Sequence, residues 1–140
     1  MIGFLRRRLP ELAAHLSYAP LPWCTILWKN ILMSVRETII RAIQEKRPLR
    51  IVREGQVRLT CPYRIGLSAK EEHNLLHYQF GGYSQRGLQA EGSSANWRCH
   101  HTDSITEAKI IDGRWRQPTV KPKTKGTCVV NAEAEVADYY

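Results

Sequence analysis

Four arginines and four aromatic residues lie close together along the middle of this 140-residue chain: Arg58, Arg64, Arg86 and Arg98, interleaved with Tyr63, Tyr78, Tyr83 and Trp97. A guanidinium group forms paired hydrogen bonds to phosphate and stacks on planar rings. Arginine combined with aromatic faces on a small β-structure is a common way to hold a nucleotide or a single nucleic-acid strand. Gln79, Tyr83 and Ser84 add groups able to hydrogen-bond a base or sugar. The plainer alternative puts the arginines on solvated strand faces and the aromatics in the core, with Gly81-Gly82 and Ser84 making a turn. Taken as a set, the residues point to an anion site.

The run Cys99-His100-His101 raises a metal hypothesis, with Cys61 or Cys128 as further ligands. Adjacent residues on a strand point to opposite faces, so only Cys99 and His101 could share a side. The run therefore supplies two ligands at most, and neither a metal nor another cofactor is expected. A Cys–His hydrolase pair would need an orienting acid and an oxyanion motif. Asp103 is close, but no orienting acid or oxyanion motif is visible, so a catalytic role is not expected either.

These side chains must be positioned by short elements. Ser34-Val35-Arg36-Glu37 fits a helix capping box, and Val35, Ile39, Ile40 and Ile43 fall on one helical stripe. Lys46 and Arg47 suit the negative end of the helix dipole and Pro48 stops it, which predicts a helix over about 34–46. From Leu49 the periodicity becomes that of strands. "LRIVREGQVRLTCPYRIG" reads as a hairpin turning at Glu54-Gly55-Gln56. A third strand runs from Leu75 to Phe80, "YSQRGLQAEGSSA" is a polar loop, "NWRCHHTDSI" is a fourth strand and "TEAKIIDGRWRQP" holds a short fifth. One helix followed by several short strands suggests a small, strongly bent sheet or barrel.

Three segments follow from this. Residues 1–33, with Arg6–Arg8 and prolines 10, 20 and 22, read as a poorly ordered extension; Met33 could itself be the start. Trp23, Trp28 and their apolar neighbours could alternatively lie at a membrane surface. Residues 34–117 form the domain. Residues 118–140 are a basic linker, "TVKPKTKG", and an acidic end, "NAEAEVADYY", which either folds against the linker or is a solvated tail.

Composition bounds the rest. The chain is 43% hydrophobic and 24% charged, like an ordinary globular protein, so wholesale disorder is not expected. A net charge of +8 favours polyanions. The stretch from Leu21 to Met33 is interrupted by Lys29 and Asn30 and is shorter than the roughly 20 apolar residues that span a bilayer. Four cysteines with no C-x-x-C pair support neither a disulfide framework nor a zinc ribbon, so reduced thiols and a cytoplasmic location are expected.

Residues from about Ser34 to Arg116 resemble the WYL domain family of prokaryotic regulators. The likeness lies in the order of a short helix with a basic end, "RIVREG", Arg58 and Pro62 with "YRIG", then "LLHYQFGGYSQRG", then "NWRCHHTDSI" with Trp97, Arg98 and Ile105. Leu76-His77-Tyr78 stands nearest to the triplet that names the family. The resemblance implies a mainly β (α+β) fold: a small Sm-like or SH3-like five-stranded β-barrel preceded by one α-helix. It also implies a non-catalytic, ligand-sensing or nucleic-acid-binding module in transcriptional or defence regulation. Residues 1–33 are too short and proline-broken to supply the DNA-binding domain that usually precedes such a module. The expected ligand residues are Arg58, Tyr63, Arg64, His77, Gln79, Tyr83, Ser84, Arg86, Trp97 and Arg98. The competing expectation is a protein-interaction piece that pairs strand edges with a regulatory partner or a second copy of itself.

Overall fold

The computed structural model describes residues 33–120, 122 and 128–137. The extension expected at 1–33 and its apolar stretch therefore lie outside the described residues, Met33 apart. Helix α1, Val35–Glu45, begins at a complete capping box: Ser34 Oγ accepts from the Glu37 N–H at 3.1 Å, and Glu37 Oε2 accepts from the Ser34 N–H at 3.2 Å. It ends at Lys46, which takes a left-handed conformation and donates its backbone N–H to Ile43 O at 3.3 Å. Ile39, Ala42 and Ile43 are buried, with Val35 and Ile40 packed at the rim, as the stripe requires. That face packs on strands β2 (Gln56–Leu67), β5 (Ile105–Ile110) and β6 (Asn131–Glu135).

The remaining strands are β1 (Leu49–Arg53), β3 (His73–Gly82) and β4 (Trp97–His101). All pairings are antiparallel, in the order β4-β3-β2-β1-β5, with β6 added to β2. The β1–β2 turn is the two residues Glu54 and Gly55, both at positive φ, and Arg53 faces Gln56 across it. Two consecutive left-handed residues match the twist of a tight hairpin, and glycine takes one of them without strain. β2 carries irregularities at Leu59/Thr60 and Pro62/Arg64. A proline lacks the N–H a regular ladder needs, so Pro62 sits at such a break. The bend divides one edge of β2 between two partners: residues 56–60 pair with β1 and residues 64–67 with β6.

Among the described residues the protein is therefore mainly β with one helix, as expected. Among the described residues no pairing joins β4 to β5, so the sheet of six strands is not closed into a barrel. The sixth strand is the acidic end, which had a solvated tail among its expected fates. Val129 and Val136 flank it and are fully buried or nearly so, and Glu133 and Glu135 pair with Arg36 and Arg64. Ala132 and Ala134 give it a period-two pattern too weak in apolar area to stand out beside the carboxylates.

Gly66 allows this strand to dock. A Cβ at that position would collide with the backbone oxygen of Asn131. The variant Gly66→Ala should lose about 1–3 kcal/mol of stability. Chemical denaturation checks this, and an unchanged midpoint would mean that β6 contributes little.

The two faces of the sheet differ. On one, Tyr63 packs against Trp97 (ring centroids 4.8 Å apart) and Trp115 (5.0 Å), and Tyr78 against Trp97 (5.2 Å). The segment after β5 crosses this face. Tyr63 donates its hydroxyl to Arg116 O, Trp97 Nε1 donates to Val120 O at 2.9 Å, and the Arg116 guanidinium sits 3.6 Å over the Phe80 ring. Tyr63 and Tyr78 are thereby core residues.

Candidate functional site

The other face of the strands carries the charge. Alternation along β2, β3 and β4 brings Arg58 and Thr60, His77 and Gln79, and Arg98 and His100 onto one side. Contacts confirm the placement: Thr60 Oγ1 is 2.6 Å from His77 Nδ1, and His77 Nε2 is 2.9 Å from His100 Nδ1. Arg53 reaches the same region from β1, where its Nε donates to Ser104 Oγ at 2.9 Å.

Arg58 is 4% exposed, and its Nε has no hydrogen-bond partner. Its guanidinium lies 5.4 Å from the centroid of the half-exposed Tyr83 ring, a distance at which a cation and a π-face attract. Burial and then the positive charge of Arg53 push the Arg58 pKa down; Glu54 and Tyr83 act the other way and do not cancel this. Arg98 is lowered by burial, then by Arg86 and Arg58. His77 is held well below the ordinary imidazole range by burial, then by His100, Arg98, Arg58 and Arg53. His100 is lowered to about 4 by burial, then by Arg53, Arg58, Arg98 and His101. The shifts of Arg98, His77 and His100 are dominated by burial and by neighbouring arginines and imidazoles. Such a cluster of like charges raises the free energy of the unliganded state, and an anion relieves it.

The loop from Tyr83 to Asn96 forms the rim. Arg98 holds it through Ser84 Oγ at 3.0 Å and Gly87 O at 3.4 Å. Tyr78 accepts from the Gly92 N–H at 2.8 Å and donates to Ser93 O at 3.2 Å, while Asn96 accepts from the Gln89 N–H at 2.8 Å. These bonds fix a loop with little apolar content, so that Ser84 and the exposed Arg86 stay near Arg98.

Of the expected ligand residues, the structure brings together Arg58, His77, Gln79, Tyr83, Ser84, Arg86 and Arg98. Tyr63 and Trp97 belong to the aromatic cluster on the opposite face, which corrects their expected role as stacking partners. Arg64 lies beyond the Pro62 break, where its Nε is 3.2 Å from Glu135 Oε2 and its Nη2 is 3.3 Å from Val130 O. It anchors β6 and is removed from the ligand set. Arg53, Thr60 and His100 belong to the site and were not expected there. The signal for His100 was available: Arg98 and His100 repeat the two-residue spacing of His77 and Gln79.

The expectation of reduced thiols is also corrected. Cys99 and Cys128 form a disulfide that joins β4 to the segment preceding β6. Among the described residues only Cys61 is free, and burial pushes its thiol up to about 11. Among the described residues no group of three or more His, Cys, Asp or Glu could hold a metal. No helix among them is long and apolar enough to cross a membrane. A separate groove of about 530 Å³ between the start of α1 and Ile65, His73 and Ile105 shares no residue with the arginine cluster. The chain matches no family model, no curated protein and no solved structure.

The neutral histidines impose a pH dependence. A histidine whose folded pKa lies below its unfolded value of about 6.5 binds fewer protons when folded. Its stabilising contribution is complete above that unfolded value and is lost as pH falls towards the folded value, about 4 for His100. The melting temperature should therefore drop between pH 7 and pH 5, and drop less in His100→Gln. Equal slopes for the two proteins would show that the pair does not control acid sensitivity.

Proposed function

We propose that this protein is a non-catalytic, WYL-like sensing module that binds an anionic ligand of the nucleotide or single-stranded nucleic-acid class. One observation carries the reading: Arg58 is almost fully buried with an unpartnered Nε, among further arginines and without enough carboxylate to balance them. Buried charges are ordinarily paired. A cation left in this state is supplied with its partner by a ligand. Two neutral imidazoles and the Tyr83 ring beside it suit a ligand with polar and planar parts. An N-terminal helix followed by strands in the order β4-β3-β2-β1-β5, with a 3-10 turn at Thr102–Ser104 between β4 and β5, supports an Sm-like arrangement opened between its outer strands.

The test is a titration with labelled single-stranded oligonucleotides and with mononucleotides at two salt concentrations. Three phosphate contacts predict about 20-fold weaker binding of a single strand when salt rises from about 50 to 200 mM, from a slope of about −0.7 per contact. Absence of binding at low salt would reject the reading. A second reading, an assembly module, draws on β4 and β5, each of which pairs on one side only among the described residues. Light scattering that finds a stable oligomer indifferent to nucleic acid would favour it.

A further inference from the structure

The hydrogen bonds of the histidine pair fix its polarity. The backbone oxygen of Tyr78 can only accept, so Thr60 donates its hydroxyl proton there, at 2.8 Å. Thr60 Oγ1 therefore accepts from His77 Nδ1. Neutral His77 carries a single N–H, so its Nε2 is an acceptor and the proton between the rings belongs to Nδ1 of His100. His100 is then left with a bare Nε2, which has no partner among the described residues. His100 is only partly covered, so a ligand can reach it.

Gln79 also carries an unfilled acceptor, but an enclosed one. Its Nε2 donates to Gly81 O at 3.0 Å and Tyr83 O at 2.7 Å, which sets the orientation of the amide. Its Oε1 is left buried and unpartnered, in a side chain that is fully enclosed. An unfilled buried acceptor is costly unless something completes it.

One face thus offers unbalanced cations next to an unfilled acceptor that a ligand can reach, His100 Nε2. A simple anion such as phosphate or a carboxylate satisfies only the first. We infer that the ligand carries a hydrogen-bond donor beside its anionic group and belongs to the ribonucleotide class, in which the 2′-hydroxyl adjoins the phosphodiester. His100 Nε2 accepts the 2′-hydroxyl proton. This rests on the anion-site reading above and adds to it a preference for RNA over DNA.

Anisotropy titrations with fluorescein-labelled octamers of uridine, 2′-deoxyuridine and 2′-fluoro-2′-deoxyuridine test it. The fluorinated strand keeps an RNA-like sugar pucker and cannot donate. Wild-type protein should bind the uridine octamer about 5- to 15-fold more tightly than either of the others, the effect of one lost hydrogen bond. In His100→Phe the three should agree within about twofold, because the acceptor is gone. Equal binding of all three strands by wild-type protein overturns the ribose inference and leaves the anion site standing. A full ribose preference retained in His100→Phe overturns the role of His100. No binding of any strand overturns both readings. The wild-type comparison needs no variant, so it holds even if His100→Phe fails to fold.

Discussion

Arg58→Met should weaken binding of the single-stranded octamer about 10- to 100-fold while leaving the melting temperature unchanged or higher. The two halves of this expectation have one cause. Methionine keeps much of the aliphatic stem and removes the guanidinium. The lost charge-assisted hydrogen bonds to the ligand are worth about 1.5–3 kcal/mol. In the unliganded protein the same guanidinium is buried among cations with an orphaned Nε, so its removal relieves repulsion and desolvation. A residue that binds ligand at the expense of stability shows this opposition, whereas a structural arginine does not. Arg64→Met serves as the contrast. It breaks the contact with Glu135, lowers stability modestly and leaves octamer affinity unchanged. Loss of stability with full affinity in Arg58→Met would assign Arg58 to the scaffold instead.

Opening the disulfide should have the largest effect on stability. Cys99 and Cys128 are separated by 29 positions, and closing a loop of that size is worth about 3–4 kcal/mol in the chain-entropy account. Paired serine substitutions at 99 and 128 should lower the unfolding free energy by that amount, read from chemical denaturation. Reductant should produce the same loss in wild-type protein and none in the variant. Cys61 does not complicate the comparison, because it is enclosed and its thiolate is suppressed. The bridge also lies between Arg98 and His100 in sequence, on a strand that among the described residues pairs with β3 alone. Without it β4 is tied to the sheet from one side, so octamer affinity should fall several-fold. Equal stability with and without reductant would show that the bridge contributes nothing to the fold.

Much of this was legible in the chain and some was not, for identifiable reasons. The helix was readable because Ser34, Glu37 and the isoleucine stripe act locally. The strands through Ile110 were readable because Gly55, Gly81 and Gly82 punctuate alternating residues. Strand β6 was obscured because its stability comes from distant partners, Arg36 and Arg64, and from the close approach at Gly66. The disulfide was obscured for the same reason, since spacing along the chain does not state which cysteines meet in space. In the site, charge and the family resemblance had grouped Arg58, His77, Gln79 and Arg98, and strand alternation is what sets them on one face. The face of Arg64 went astray because β2 breaks register at Pro62/Arg64, whereas Tyr63 and Trp97 stand one residue out of step with Thr60 and Arg98 and so face the other way by simple alternation. The segment that covers the aromatic face packs over Tyr63 and Trp97, the two expected stacking platforms that lie there.

On the proposed reading, the ligand occupies the arginine and histidine face of the sheet and not the aromatic one. Side-chain nuclear magnetic resonance decides this directly, by following arginine Nε–H, imidazole and indole signals while the uridine octamer is added to the full chain. Large, saturable shifts are expected at Arg58, Arg98 and His100, with the Trp97 and Trp115 indoles and Arg64 unmoved. Shifts confined to Arg64 and the indoles, with Arg58 and His100 silent, would contradict it.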